Sequence, residues 1–80
     1  MIDARQMKAA RALAGLTQED VAKATGLSVQ TIKRMEITGT ERSSAGNVQA
    51  VQKALESAGV VFIPENGGGA GVRLAKPKNS

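Results

Sequence analysis

Gln30 and Arg34 stand four residues apart in a segment with a helical pattern of apolar residues. Residues at this spacing lie one above the other on the surface of a helix. With Ile32 defining the buried direction, both side chains fall roughly 160° away from it and point outward together. Glutamine can bond two atoms of an adenine edge and arginine two atoms of a guanine edge. The pair therefore predicts readout of base edges in the major groove of DNA.

Neighbouring positions extend this chemistry. Lys33 flanks the pair and suits a phosphate, whereas Val29, in the first turn, suits contact with a thymine methyl group. Gln18 begins the preceding helical pattern, where free backbone amides and its own amide favour a phosphate. Arg42, in the next polar stretch, fits either a phosphate contact or an exposed loop charge. The predicted DNA-contacting residues are Thr17, Gln18, Ser28, Val29, Gln30, Thr31, Lys33, Arg34 and Arg42.

The segment Leu16–Glu36 predicts the two helices that position these side chains. Thr17 caps the first of them, with Asp20 in the reciprocal position of a capping box. Gly26 can adopt the positive φ that a sharp turn between helices requires, and Ser28 caps the second helix. Two short helices joined by such a turn are typical of a helix-turn-helix that reads DNA.

Two further helices are predicted, one on each side of this motif. Asp3 and Gln6 form a capping-box pattern before the first helix of the chain, which Gly15 ends. After a loop predicted over Ile37–Gly46, a fourth helix ends at Gly59. The predicted core-facing residues are Met7, Ala10, Leu13, Ala14, Val21, Ala22, Ile32, Met35, Val48, Val51, Leu55 and Ala58.

The pattern changes from helical to strand-like after the fourth helix. Val60–Ile63 and Val72–Ala75 are predicted strands, joined by a glycine-rich loop over Pro64–Gly71. The loop lacks the following helix and the lysine of a nucleotide-binding glycine loop, so a hairpin turn containing Asn66–Gly67 is favoured. The polar, basic segment Lys76–Ser80 is predicted to be a disordered tail.

Two short strands are marginal on their own, because their edges leave backbone groups unpaired. Pairing with the same segment of a second subunit satisfies those groups, either with intact hairpins or by strand exchange. We therefore expect a homodimer. The residues predicted at its interface are Val60, Val61, Phe62, Ile63, Val72 and Leu74.

Composition limits the possible functions. The chain has 80 residues, a formal net charge of +4 and a pI near 10.0, which fit one small domain with affinity for polyanions. Cysteine and histidine are absent, which excludes disulfides, thiol nucleophiles, imidazole bases and the common zinc sites. No catalysis, cofactor, metal or small-molecule substrate is expected. Without a signal-like or membrane-spanning segment, a cytoplasmic, nucleoid-associated protein is expected.

The run ARALAGLTQEDVAKATGLSVQTIKRME, residues 10–36, resembles the lambda-repressor-like, Cro/C1-type helix-turn-helix regulators of bacteria and phage, also called the XRE family. The resemblance covers about a third of the chain and implies a four-helix domain that binds DNA. The residues that stand where the family motif places them are Gln18, Val21, Ala22, Gly26, Leu27, Ile32 and Met35.

The resemblance also implies roles for single positions. Gln18 matches a glutamine that grips a phosphate, and Arg11 and Glu36 match a pair that ties the first helix to the third. Thr25 departs from the usual alanine or leucine, and a strand-like segment replaces the family's common fifth helix. The positions that match groove-facing residues are Val29, Gln30, Lys33 and Arg34.

Together these patterns predict a mainly α protein. Residues 1–59 form a four-helix DNA-binding domain, residues 60–75 a C-terminal β-hairpin or arm, and residues 76–80 a tail. The predicted function is sequence-specific regulation of transcription, as a repressor, by a homodimer on a pseudo-palindromic DNA operator. An antitoxin that represses its own promoter is one alternative. In that alternative the C-terminal arm binds a toxin. A protein-interaction module that captures a partner at its exposed C-terminal strand edge by β-addition is another. A toxin or a co-regulator is the possible protein partner.

Overall fold

The computed structural model describes residues 1–75. The predicted tail, residues 76–80, lies outside the described residues. The helices are α1 (Ala4–Ala14), α2 (Gln18–Thr25), α3 (Val29–Thr38) and α4 (Ala45–Ser57), and the strands are β1 (Val60–Ile63) and β2 (Gly71–Leu74). This mainly α fold with a C-terminal hairpin confirms the predicted class. None of the helices described is both long and apolar enough to cross a bilayer.

Two capping boxes fix the starts of α1 and α2. The Asp3 carboxylate accepts a hydrogen bond from the backbone N–H of Gln6 at 2.8 Å, and the Gln6 side chain accepts one from the N–H of Asp3 at 3.0 Å. Thr17 and Asp20 make the same reciprocal pair before α2, at 2.9 and 3.0 Å. Both predicted boxes are confirmed, and they satisfy N–H groups that a helix start otherwise leaves unpaired.

The turn between α2 and α3 depends on a glycine and a threonine. Gly26 has φ of 76°, a left-handed conformation that strains any residue with a Cβ atom. The Thr25 hydroxyl donates to the carbonyl of Val21 at 2.8 Å and accepts from the N–H of Leu27 at 3.2 Å. The departure from the usual alanine or leucine at Thr25 therefore adds hydrogen bonds that close α2 and fix the corner.

The connection between α3 and α4 is shorter than predicted. The expected loop covered Ile37–Gly46, but α3 continues through Thr38 and α4 begins at Ala45. The Thr38 hydroxyl donates to the carbonyl of Arg34 at 2.7 Å, which keeps this β-branched polar residue inside the helix. Ser44 caps α4, and the helix therefore starts before Gly46. The stabilisation from a serine cap outweighs the weak helix propensity of one glycine.

One hydrophobic core joins all four helices to the hairpin. Two of the predicted core positions are wrong: Leu13 is 43% exposed, and Ala58 is exposed because α4 ends at Ser57. The other predicted positions are buried, apart from the half-buried Ala14. The buried core residues are Ile2, Met7, Ala10, Val21, Ala22, Ile32, Met35, Val48, Val51, Leu55 and Val60.

The two strands form a hairpin within one chain. β1 and β2 pair antiparallel, with Val60 opposite Leu74, and β2 begins one residue earlier than predicted. The connecting loop contains the predicted turn residues Asn66 and Gly67, and Gly67 has a positive φ of 81°. Since the strands pair with each other, strand exchange is not required to satisfy their inner edges.

Gln6 fastens this hairpin to α1. Its Nε2 atom donates to the carbonyl of Gly71 at 3.1 Å and to that of Ile63 at 3.3 Å. The side chain is 8% exposed, so the amide replaces water as the partner of both strands. Val60, buried in the core, holds the hairpin against α4. The hairpin therefore belongs to the same packed body as the helices.

Candidate nucleic-acid interface

The outward face of α3 carries Gln30, Lys33 and Arg34, all exposed. The opposite face is fixed by Ile32 and Met35, which are completely buried. The predicted division of this helix into a core face and an outward face is therefore present. Within residues 1–75, the side-chain hydrogen bonds of α3 are made by Thr31, Glu36 and Thr38.

A buried ion pair sets the charge of this face. Glu36 is only 4% exposed, and Arg11 of α1 binds its two carboxylate oxygens, through Nε at 2.8 Å and Nη2 at 3.1 Å. The hydrogen bond to Glu36 raises the pKa of Arg11. The predicted link between the first and third helices is confirmed. Glu36 is the only carboxylate of α3, and it is buried in an ion pair with Arg11. The exposed charged side chains of this helix are therefore the cations Lys33 and Arg34.

Gln18 is joined to the same carboxylate. Its Nε2 atom donates to Oε1 of Glu36 at 3.1 Å, and the side chain is half-buried at the start of α2. A primary amide has two N–H groups and one carbonyl oxygen, so one donor is used in orienting the side chain. The second N–H group of this amide is left for the phosphate contact predicted for Gln18, which stays a prediction.

The first turn of α2 is acidic. Glu19 and Asp20 are both exposed there, where the helix dipole favours negative charge. Hydrogen bonds from the backbone and side chain of Thr17 lower the pKa of Asp20. No lysine or arginine belongs to this turn, so a phosphate bound at the start of α2 would be held by N–H donors rather than by a cation.

The remaining predicted contact residues occupy three kinds of position. Ser28 caps α3 by accepting from the N–H of Thr31 at 3.1 Å, and the two hydroxyls lie 2.9 Å apart. Val29 is half-buried and packs against the core, which leaves only part of it for a ligand. Arg42 is exposed on a separate 3-10 turn, Thr40–Arg42, after α3. The structure thus groups the α3 residues, whereas Arg42 belongs to a neighbouring element.

The residues predicted for the dimer interface divide between core and surface. Val60 is 2% exposed inside the chain's own core, and Phe62 and Val72 pack partly against that core. These three already serve the fold of one chain, a role that their strand pattern did not reveal. The exposed residues of the set are Ile63 and Leu74, with Val61 half-buried.

Sequence reasoning missed two residues near these surfaces. The sequence predicts only a capping box for Gln6, because nothing in its spacing indicates a contact with residues about sixty positions later. The sequence predicts a loop at Ile37, yet this residue lies in the last turn of α3 and is 78% exposed. Extending the helical period of α3 by one turn would have placed Ile37 on the outward face.

Comparison with known families adds independent support. A helix-turn-helix family model matches residues 7–57, which include most of α1, the whole of α2 and α3, and α4. No relative was detected among curated proteins. The matched segment contains the buried ion pair, the turn at Gly26 and the exposed face of α3. Because the match covers more than half of the chain, this protein belongs to the lambda-repressor-like, Cro/C1-type helix-turn-helix family of DNA-binding regulators.

Proposed function

We propose that the protein is a homodimeric transcriptional repressor that binds a pseudo-palindromic operator through the major groove. In this proposal α3 enters the groove, Gln30 and Arg34 bond base edges, and Lys33 contacts a phosphate. Arg42 and the amide of Gln18 add contacts to the DNA backbone. The protein acts in the cytoplasm, on the nucleoid.

The observation that carries this proposal is the outward face of α3. It combines a glutamine and an arginine at the spacing that aligns two bidentate side chains, with Lys33 beside them and no exposed carboxylate on the helix. The buried ion pair between Arg11 and Glu36, in which Nε lies 2.8 Å from Oε2, holds α3 against α1. Base readout requires a helix held in a fixed orientation whose polar side chains are available to bond base edges. Within residues 1–75, Gln30 and Arg34 on α3 make no side-chain hydrogen bond and meet this requirement.

The dimensions of the chain support a dimer on DNA. Its longest principal extent is 36 Å, which is the scale on which a two-fold dimer must separate its two copies of α3. Successive major grooves on one side of B-DNA are separated by about 34 Å. The hairpin residues Ile63 and Leu74 are the proposed contact between the copies, since they are apolar and are 37% and 50% exposed.

Base readout is tested by replacing two residues of the interface separately. Arg34→Ala is expected to weaken binding to a selected operator by about 1 to 3 kcal/mol and to relax the preference at one base pair. Gln18→Ala is expected to weaken operator and random DNA alike, because a phosphate carries no sequence information. Titrations of both variants against both DNAs by fluorescence anisotropy give the comparison.

Arg5→Ala is the matched control for Arg34→Ala. Arg5 is an exposed arginine on α1, outside α3 and outside the hairpin, and its removal lowers the net charge equally. The control is expected to keep the sequence preference of the unmodified protein. Equal losses on operator and random DNA for Arg34→Ala would contradict a base-reading role for this residue.

The dimer is tested with Leu74→Glu. Leu74 is 50% exposed, so the substitution leaves the core intact, whereas deletion of residues 60–80 would remove the buried Val60. A charge in an apolar contact is expected to shift sedimentation towards the monomer and to reduce operator affinity to that of a half-site. Lys53→Glu, on the exposed side of α4, is the charge-changing control. An unaltered dimer in the Leu74 variant would refute this interface.

The hairpin edge also suits a different function, capture of an extended protein segment by strand addition. Among residues 1–75 the sheet consists of β1 and β2 alone, so no further strand pairs with their outer edges, which favours this second candidate. Salt distinguishes the two functions. Operator affinity that falls steeply with ionic strength supports contact with several phosphates, whereas strand addition is expected to respond little. An antitoxin would show both behaviours, DNA binding through α3 and toxin binding through the hairpin.

A further inference from the structure

A large aliphatic side chain stands exposed on the outward face of α3. Ile37 is the second-last residue of the helix and is 78% exposed. Single apolar residues are common on protein surfaces, so the position of Ile37 relative to the other side chains of α3 decides what it can do.

Helical geometry places Ile37 in line with the proposed reading residues. It follows Gln30 by seven positions, which rotates it only about 20° from Gln30 and moves it about 10 Å along the axis. It follows Lys33 by four and Arg34 by three, the separations of neighbours on a helix surface. All four residues are exposed, so Ile37 continues their row by one turn towards the C-terminus.

The last turn of α3 does not have the chemistry of a phosphate site. It contains no basic residue, and the carbonyl end of a helix carries a partial negative charge. The Thr38 hydroxyl donates to the carbonyl of Arg34 at 2.7 Å, which uses its proton within the helix. What this turn offers to a ligand is the branched aliphatic side chain of Ile37.

In the major groove, the apolar group available to such a side chain is the 5-methyl group of thymine. Val29 was the other aliphatic residue of α3 suited to this contact, but it is half-buried against the core. We propose that Ile37 is a specificity-determining residue that packs against a thymine methyl group in each half-site, one helical turn beyond Arg34. This inference rests on the proposed function, because it requires α3 to lie in the groove.

The test removes the methyl group from the DNA and the side chain from the protein. Each thymine of a selected operator is replaced in turn by deoxyuridine, which lacks only the 5-methyl group. The full-length protein is expected to lose about fourfold in affinity at one thymine of each half-site, the factor for one methyl group returned to water. Ile37→Ala is expected to bind the unmodified operator about four- to tenfold more weakly and to show no loss on that replacement.

Leu13→Ala is the matched control, since Leu13 is an exposed aliphatic residue on α1, 43% exposed. It is expected to keep the full loss on deoxyuridine replacement. If Ile37→Ala keeps that loss as well, the proposal is overturned, and a weaker dimer in sedimentation would then make Ile37 a contact between subunits. An unmodified protein that discriminates no sequence from random DNA would instead overturn the proposed function, and this inference with it.

Discussion

Two sets of polar contacts hold α1 against different parts of the molecule. One set is built on an ion pair and the other on a neutral amide. Near the end of α1, Arg11 binds the buried carboxylate of Glu36, which also accepts from Gln18; we call these three residues the head junction. Near the start, Gln6 donates to the carbonyls of the two strands; we call this the hairpin junction. The first is ionic and the second is neutral, although both involve buried side chains.

This difference bears on how the two regions respond to change. A buried charge is stable only while its partner is present, and removal of that partner leaves an uncompensated ion. Loss of the Gln6 amide leaves two carbonyl groups and the N–H of Asp3 without this partner, and unpaired neutral groups are less unfavourable than an unpaired buried ion. The head junction joins α1 to both helices of the helix-turn-helix, since Gln18 belongs to α2 and Glu36 to α3. The relative orientation of these helices is therefore held by the interaction that tolerates least substitution.

The largest effect is expected from removing the cation of the head junction. Arg11→Met keeps a long apolar stem but leaves the carboxylate of Glu36 buried with only the amide of Gln18. We expect the free energy of unfolding to fall by about 3 kcal/mol, as for other broken buried pairs, in urea denaturation at neutral pH. Arg5→Met, on an exposed position of α1, is the control. A loss of unfolding free energy no greater than that of the control would show that the head junction contributes little to stability.

A smaller effect is expected at the hairpin junction. Gln6→Leu is similar in size but leaves the carbonyls of Ile63 and Gly71 without this donor and the N–H of Asp3 without its acceptor, so we expect a loss of about 1 to 3 kcal/mol in the free energy of unfolding. Hydrogen exchange of the strand amides should accelerate more than exchange in α3. Gln49→Leu, at an exposed site on α4, is the control. Equal acceleration in the hairpin and in α3 would mean that Gln6 does not act locally.

Acid should weaken the cap beside the head junction. Hydrogen bonds from Thr17 lower the pKa of Asp20 in the folded protein, so the ionised form is favoured by folding. The stability that this provides is present above the ordinary aspartate value and is lost as the pH falls below about 4. Asp20→Asn should remove this part of the acid sensitivity, measured by urea denaturation at several pH values. An unchanged pH profile would argue against the contribution of this cap.

The smallest expected effect is the coupling between the two junctions. Gln6 and Arg11 share no hydrogen-bond partner, and they are joined only by the intervening turns of α1. The loss in the double variant should therefore equal the sum of the single losses to within about 0.5 kcal/mol. A larger coupling would show that α1 transmits strain from the hairpin to the DNA-binding helices.

Local signals explain why much of the fold was predictable from the sequence. Asp3 with Gln6 and Thr17 with Asp20 are capping pairs whose partners lie three residues apart, so the sequence alone specifies them. Gly26 marks the turn because its positive φ excludes most other residues. The exposed face of α3 followed from the period of the helix once Ile32 was placed inward.

What the sequence did not reveal depends on distant contacts or on competing local preferences. The role of Val60 in the core requires knowledge of how the hairpin packs on α4. The end of α3 was misplaced because threonine and glycine favour a loop, whereas the Thr38 hydroxyl bonds back into the helix. The contacts of the outward face with DNA are predicted from the family resemblance and from the chemistry of Gln30, Lys33 and Arg34.

The contacts of Gln6 also have a consequence for synthesis of the protein. Its carbonyl partners lie 57 and 65 residues further along the chain, so α1 can form early in translation but cannot complete its polar contacts until β2 has left the ribosome. Contacts of such long separation close late and slow folding. A chain that ended before Gly71 would contain every residue of the helix-turn-helix. It would still lack β2, whose Gly71 carbonyl accepts a hydrogen bond from Gln6 of α1. The polar contacts of α1 are therefore complete only after β2 has been synthesised.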